Sequence, residues 1–92
     1  MAGPGGRLAV TRARVLIRPK EGILDPQGQA VESSLRHLGF AVDGARIGRV
    51  VDLDVQASDP TAARAEVERM CAQLLANPLI ESYEIELSER PA

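Results

Sequence analysis

The stretch Lys20-Glu21-Gly22-Ile23-Leu24-Asp25-Pro26-Gln27-Gly28 joins a predicted strand to a predicted helix and organises the rest of the chain. Asp25 is a residue type favoured at helix N-caps, because its carboxylate accepts a free backbone N–H. Pro26 suits the first helical position, where its missing N–H would have had no partner. Gly22 permits a turn with positive φ. The stretch therefore predicts a capped strand-to-helix loop and a helix that begins at Pro26.

The same loop has a second interpretation, as a surface on which another molecule docks. A helix N-terminus presents free N–H groups that favour anionic or carbonyl partners. Gly28 leaves the first turn without a side chain, so that a partner could approach the backbone closely. If the turn only faces water, Gly28→Gln should be tolerated or slightly stabilising. If it is a docking surface, Gln27→Ala and Gly28→Gln should leave the melting temperature nearly unchanged while they weaken partner binding. The residues alone leave both interpretations open.

Apolar periodicity on either side of this loop predicts one strand and one helix. Residues 11–18 alternate between apolar and polar side chains, as in a half-buried strand. Val31, Leu35 and Leu38 form an apolar stripe along a helix predicted at residues 26–38. Gly39 follows that helix as a C-terminal cap.

The second half of the chain repeats these signals. Residues 40–47 predict a short, irregular strand, residues 49–57 a clear strand, and residues 80–87 a last strand. Ser58-Asp59-Pro60 repeats the cap-and-proline start of a helix. The apolar stripe of this second helix consists of Ala63, Val67, Met70 and Leu74.

The element order β-α-β-β-α-β predicts an α+β two-layer sandwich, a ferredoxin-like arrangement with a four-stranded antiparallel sheet and both helices on one face. In this arrangement the first strand lies between the third and fourth strands. Its basic side chains then face acidic side chains on both neighbours, and these pairs favour one register of the sheet. The facing residues are Arg12, Arg14 and Arg18 in the first strand, and Asp52, Asp54, Glu84 and Glu86 in its neighbours. We predict a flexible tail at residues 1–10, one domain at residues 11–88, and a frayed end at residues 89–92.

Size and composition limit the possible classes of function. A chain of 92 residues makes one domain with a thin core, which self-association would help to stabilise. The net charge of −2 gives no basic field that would attract nucleic acid or an acidic membrane. Cys71 is the only cysteine, so an internal disulfide is excluded and a reducing, cytoplasmic setting is expected.

No group of residues has the pattern of an autonomous active site. His37 is the only histidine and lies on a different predicted helix from Cys71, so neither a zinc site nor a nucleophile with its base is expected. The glycines of residues 3–6 lie in the tail instead of between a strand and a helix, as a phosphate loop requires. We therefore predict no catalytic residue, no metal and no cofactor bound by this chain. The isolated protein should hydrolyse neither ATP nor glutamine.

Three motifs resemble the PurS family, the small subunit of phosphoribosylformylglycinamidine synthase. They are the stretch from Lys20 to Gly28, the tetrapeptide Arg46-Ile47-Gly48-Arg49, and a segment from Glu66 through Met70-Cys71 to Leu74-Leu75-Ala76-Asn77-Pro78-Leu79-Ile80-Glu81-Ser82-Tyr83. The resemblance covers residues 12 to 87. The chain departs from the family at Val50-Val51, where an aromatic or acidic residue is common, and in its additional Gly/Pro tail.

The resemblance implies a non-catalytic assembly subunit in de novo purine biosynthesis. The family's complex is a glutamine-dependent C–N ligase that converts formylglycinamide ribonucleotide, glutamine and ATP into formylglycinamidine ribonucleotide, glutamate, ADP and phosphate. A PurS-type subunit forms a dimer or tetramer and bridges a glutaminase subunit, which releases ammonia, and a large synthetase subunit, which uses ATP and magnesium. The partner-binding residues that the resemblance implies are Lys20, Glu21, Gly22, Asp25, Pro26, Gln27, Gly28 and Arg46.

An ACT-like regulatory module is the alternative from another functional class. It shares the β-α-β-β-α-β order and uses a loop after the first strand to bind small ligands. Composition and periodicity leave this alternative open. A thermal shift with an amino acid or a nucleotide would favour it, whereas an assembly subunit should show no such shift.

Overall fold

The computed structural model describes residues 9–89, which form three strands and two helices. The strands are β1 (Ala9–Pro19), β2 (Arg49–Ala57) and β3 (Glu81–Glu89), and the helices are α1 (Pro26–His37) and α2 (Pro60–Met70). One π-helical turn, Cys71–Leu75, continues α2. Most of the predicted tail and frayed end lies outside the described residues, although residues 9, 10 and 89 belong to strands.

β1 is the central strand of an antiparallel sheet with the order β2-β1-β3. Ala13, Val15 and Ile17 are buried on one face of β1, which confirms the predicted alternation. The position of the first strand between two acidic neighbours is also confirmed, because it pairs with β2 on one side and β3 on the other.

Charged pairs cover the opposite face of the sheet. The side chain of Arg12 lies 2.8 Å from Asp54, and that of Arg14 lies 2.8 Å from Asp52. Arg18 pairs with Glu84 on β3 at 3.2 Å. Since these pairs join residues that are opposite or diagonal in the ladder, a one-residue slip of either neighbour would separate them. They therefore act as the predicted register device.

The hydrophobic core lies between the inner face of the sheet and α2. Ala63 and Val67 of α2 and Cys71 of the π turn are fully buried against β1 and β2 residues. Most core side chains are small, so α2 can approach the sheet closely. None of the helices within residues 9–89 is long and apolar enough to cross a bilayer.

The predicted strand at residues 40–47 does not form, so the sheet of the described residues has three strands instead of four. The backbone N–H of Ile47 donates to the carboxylate of Asp25 at 2.8 Å, and the Arg46 guanidinium donates to the carbonyl of Pro19. Gly48 lies so close to β1 that an added Cβ would collide with the Ile17 carbonyl oxygen. These contacts hold the segment against the end of β1, where it cannot run alongside the sheet as a fourth strand.

α1 does not pack on the sheet, which corrects the prediction of two helices on one face. Within residues 9–89, no Cα atom of α1 comes within 8 Å of a Cα atom of a strand or of α2. Its predicted core stripe is therefore largely uncovered, with Leu38 72% exposed, Val31 exposed and Leu35 half-buried. The physical reason is that the tertiary contacts of α1 are made with the loop segment at residues 40–47, through Asp25 at its start and Arg36 in its last turn, and not with the sheet.

The end of the second helix also differs from the predicted stripe. Leu74 is 83% exposed, whereas Leu75 packs against the core. The backbone N–H of Ala76 donates to the Cys71 carbonyl, five residues earlier, at 3.1 Å. A π turn holds one residue more than an α turn and so rotates the side chains that follow. This rotation brings Leu75 to the core in place of Leu74.

Candidate functional site

Three segments meet at one end of the sheet and form the candidate site. They are the docking loop (residues 20–28), the Arg46 segment (residues 44–49) and the Asn77 segment (residues 76–80). Lys20 joins the first to the third, because its backbone N–H donates to the Ile80 carbonyl at 2.9 Å and its Nζ donates to the Pro78 carbonyl at 2.6 Å. The structure thus brings together residues from all three motifs that the sequence singled out.

Asp25 joins the docking loop to the Arg46 segment. One of its carboxylate oxygens accepts the N–H of Gly28 at 2.9 Å, which confirms the predicted helix cap. The other oxygen accepts the N–H of Ile47 at 2.8 Å, a contact that no pattern in the sequence predicted. The Ile47 N–H and then the Gly28 N–H stabilise the ionised form, so they hold the pKa of the Asp25 carboxyl below its usual range.

Gly28 is buried, and the space beside it is filled by the chain itself. An added Cβ would lie 2.5 Å from the carbonyl oxygen of Ala45 and closer still to the Asp25 carboxylate. The sequence had suggested that this position leaves room for a partner. The expectation that Gly28→Gln keeps the stability unchanged conflicts with this packing, because any side chain must displace the cap or the Arg46 segment.

The remaining residues of the docking loop present their side chains to solvent. Lys20, Glu21 and Gln27 are exposed, and so is Pro26 at the first helical position. Gly22 adopts a φ of 80° in a turn closed by the N–H of Ile23, which donates to the Lys20 carbonyl at 3.1 Å. The loop is thus ordered by its own hydrogen bonds while its polar side chains remain accessible.

Exposed apolar side chains flank these polar ones. Ile23 and Leu24 project from the docking loop, Ile47 from the Arg46 segment, and Leu79 and Ile80 from the Asn77 segment. Sequence reasoning did not include these five residues among the candidates. For Ile23, Leu24 and Leu79 the available signal was their apolar character inside predicted loops. Ile47 and Ile80 stood at the ends of predicted strands and gave no such signal.

Arg49 holds the Asn77 segment in place. Its guanidinium contacts both oxygens of Glu81, at 2.7 and 3.0 Å, and donates to the carbonyl of Leu75. Glu81 also accepts the backbone N–H of Asn77 at 2.7 Å. Arg49 first, and the Asn77 N–H second, keep the pKa of the Glu81 carboxyl below its usual range. Arg49 belongs to the second motif, but its partner was not predicted.

Arg46 links the Arg46 segment back to the docking loop. It donates to the Pro19 carbonyl and lies 3.4 Å from Glu21. Across residues 9–89, no three His, Cys, Asp or Glu side chains are grouped so that they could hold a metal ion. The arrangement is a preorganised surface of apolar and charged side chains, and such a surface is suited to binding another protein.

Comparison with known proteins gives one consistent family. The sequence profile of PurS, described as phosphoribosylformylglycinamidine (FGAM) synthase, matches residues 12–89. The chain is 40% identical to the phosphoribosylformylglycinamidine synthase subunit PurS of Synechocystis, over 82% of this chain and 76% of that relative.

Solved structures agree in fold with this chain. PurS of Thermus thermophilus has a TM-score of 0.80 and 43% identity, over 89% of this chain and 99% of the other. A chain in the structure of PurLQS from Thermotoga maritima has a TM-score of 0.80 and 29% identity, over 86% of this chain and 98% of the other.

Proposed function

The chain belongs to the PurS family, and from that premise we propose that it is a non-catalytic assembly subunit of phosphoribosylformylglycinamidine synthase in purine biosynthesis. The observation that carries the proposal is the likeness to a chain of the PurLQS structure, over 98% of that chain. Family membership favours this function over an ACT-like regulatory module, whose only support was the predicted β-α-β-β-α-β order, and the second strand of that order does not form in the described residues.

In this role the chain bridges the glutaminase and synthetase subunits. It supports the transfer of ammonia from glutamine to formylglycinamide ribonucleotide, while the synthetase partner consumes ATP with magnesium. The chain therefore works as part of a glutamine-dependent C–N ligase and supplies none of the reacting groups. The complex is expected in the cytoplasm, as the single cysteine suggests.

The docking loop and Arg46 are the proposed contacts with the larger subunits. Lys20, Glu21 and Gln27 are exposed and can reach a partner directly. Asp25 and Gly28 act indirectly, because they fix the shape of the loop through the Ile47 and Ala45 contacts. A loop that is already ordered loses less conformational entropy on binding, so its contacts yield more net affinity. The proposed partner-binding set is Lys20, Glu21, Gly22, Asp25, Pro26, Gln27, Gly28 and Arg46.

Self-association as a dimer or tetramer is the second part of the proposal. The stripe of α1 lies outside the core, with Val31 and Leu38 exposed, and Phe40 is exposed just beyond the helix. Tyr83, on the inner face of β3 opposite Ile17, is also left exposed. A second copy can cover apolar surface of this kind, which a small monomeric domain leaves in water at a cost.

The assembly function is tested by product formation in the reconstituted mixture, with glutamine or with ammonium as the nitrogen source. Gln27→Ala should slow the glutamine-dependent rate at unchanged melting temperature, because its amide contributes to neither the cap nor the core. Ammonium should restore part of the rate, since it bypasses the transfer. Gln56→Ala is the matched control, because Gln56 is an exposed glutamine on β2 and lies outside the three segments.

Two outcomes would contradict the proposal at different levels. If Gln27→Ala and Gln56→Ala give the same glutamine-dependent rate as the unaltered chain, the docking loop is not the contact. If the rate is the same when the whole chain is omitted, the assembly function itself is wrong.

A further inference from the structure

A hollow of about 460 Å³ lies on the outer face of the sheet, where β1 ends and β2 begins. Its lining contains three arginines and, among the described residues, no acidic side chain. Apolar groups make up most of the remaining surface. The residues that matter for the argument are Arg18, Arg46, Arg49, Leu16, Ile47 and Val50.

Two of these arginines can exchange their present partners. Arg18 contacts Glu84 at 3.2 Å, and Arg46 contacts Glu21 at 3.4 Å. The side chains of Glu84 and Glu21 are 63% and 97% exposed. Ion pairs of this exposed kind contribute little stability, so a better-placed carboxylate can replace either partner.

Arg49 behaves differently, because its contact with Glu81 involves both carboxylate oxygens and the Glu81 side chain is only 16% exposed. Arg49 therefore forms a fixed wall of the hollow, whereas Arg18 can turn toward an occupant. Arg46 stays held by its Nη2, which donates to the Pro19 carbonyl, and can offer its Nη1 to an occupant in place of Glu21. An occupant that carries negative charge would meet two exchangeable cations with no anion between them.

The hollow also borders an open strand edge. β2 pairs with β1 on one side, and within residues 9–89 no strand pairs with its other side. An extended segment from another chain can add to such an edge through backbone hydrogen bonds. Leu16 and Val50 are cross-strand neighbours, and their apolar side chains form the floor beside this edge.

We propose that this hollow binds an extended acidic segment of one of the larger subunits. The carboxylates of the segment pair with Arg18 and Arg46, and its apolar side chains lie on Leu16 and Val50. The inference rests on the proposed assembly function and names the chemistry of one contact within it. A second copy of this chain fits less well through Glu81, because both oxygens of that carboxylate are already held by its own Arg49. A second copy bound through other acidic residues is distinguished by the experiment below.

Photo-crosslinking in the reconstituted complex tests this contact. A benzoylphenylalanine replaces Val50 in the floor of the hollow or, as the matched control, Gln56, which lies on the same face of β2 beyond the hollow. After irradiation, mass spectrometry identifies the attached peptide. The expected result is a crosslink from position 50 to a peptide of a larger subunit that carries several Asp or Glu residues, and no such crosslink from position 56.

Crosslinking of position 50 to a second copy, to a segment without acidic residues or to nothing would overturn the inference if the complex has formed. Failure of the unaltered chain to form the complex would instead overturn the proposed function.

An affinity measurement is an independent test that does not introduce a bulky side chain into the hollow. Arg18→Gln should weaken binding roughly tenfold or more and reduce its salt dependence. Arg12→Gln, on the same face outside the hollow, should do neither, and equal effects would contradict the proposal.

Discussion

The two helices begin with the same Asp-Pro pair, Asp25-Pro26 and Asp59-Pro60, yet they make different tertiary contacts. Each aspartate caps the N–H three residues later, at 2.9 Å for Asp25 and 2.7 Å for Asp59. Only Asp25 also accepts a hydrogen bond from a distant segment, through the N–H of Ile47. Local capping is therefore the same in both helices, and their tertiary contacts make the difference.

The difference continues along the helices. α2 buries Ala63 and Val67 against the sheet, whereas α1 leaves its stripe largely in solvent. An amphipathic helix gains most of its stability from the apolar face that it buries. α2 thus belongs to the core of the single chain, and α1 offers an apolar face that another protein can cover.

The largest contrast is expected for matched valine truncations in the two helices. Val67→Ala should lower the free energy of unfolding by about 2–3 kcal/mol, because it leaves a cavity in a fully buried site. Val31→Ala should change it by less than about 0.5 kcal/mol in the monomer. Urea denaturation at low protein concentration measures both values.

Sedimentation of the same two variants measures their self-association. Val31→Ala should weaken self-association, and Val67→Ala at temperatures where it stays folded should not. If the two variants lose equal stability as monomers, α1 packs within its own chain and the comparison fails.

Local chemistry accounts for the features that the sequence predicted correctly. The alternation in β1, the charge pairs of Arg12 and Arg14, and both Asp-Pro helix starts depend on neighbouring residues or on one strand register. Periodicity also identified the α1 stripe through Val31 and Leu38, but a period shows which side is apolar without showing what covers it. That is why the predicted burial of α1 was wrong.

The candidate site shows the same limit. The docking loop and Arg46 as partner contacts stay a prediction from the sequence, which did not predict that Asp25 would reach Ile47, 22 positions later. Residues 44–47 make this contact instead of forming the expected fourth strand. The strand signals at residues 40–47 were too weak to exclude a loop there. Contacts between distant loops depend on the path of the whole backbone, which neither propensity nor periodicity determines.

A smaller contrast is expected at the position three residues after each cap. Gly28→Ala should cost about 1–3 kcal/mol of folding free energy, because its Cβ must push aside the Ala45 carbonyl or the Asp25 carboxylate. At the equivalent position, Ala62→Gly should cost about 1 kcal/mol, through lost helix propensity and the loss of a methyl group that packs against the edge of the core. Thermal denaturation of the pair provides the measurement. A stabilised Gly28→Ala variant would show that the Arg46 segment yields easily and that the docking loop is less rigid than its contacts indicate.

The smallest contrast is expected from exchanging each capping aspartate for asparagine. Asn caps a helix about as well as Asp, so Asp59→Asn should leave the melting temperature nearly unchanged. Asp25→Asn should lower it, because an amide has one acceptor oxygen and cannot serve the Gly28 and Ile47 N–H groups together. Melting temperatures of both variants and the unaltered chain, measured from neutral to acidic pH, test the difference.

The pH dependence of this contrast has a definite sign. The pKa of Asp25 is lowered in the folded protein, mainly by the Ile47 N–H and then by the Gly28 N–H. Its ionised form therefore adds stability that is fully present above the unfolded pKa of about 3.9 and is lost as the pH falls through the lower folded value. A protonated carboxyl, like an amide, keeps one acceptor oxygen, so acid should make the unaltered chain resemble Asp25→Asn. The difference in melting temperature between the unaltered chain and Asp25→Asn should then close below about pH 4. The same difference measured for Asp59→Asn is subtracted, because it corrects for the effect of acid on the other groups. If that difference in melting temperature stays constant with pH, the ionised carboxylate of Asp25 is not what holds Ile47. The two helix starts would then differ in their packing and not in their charge interactions.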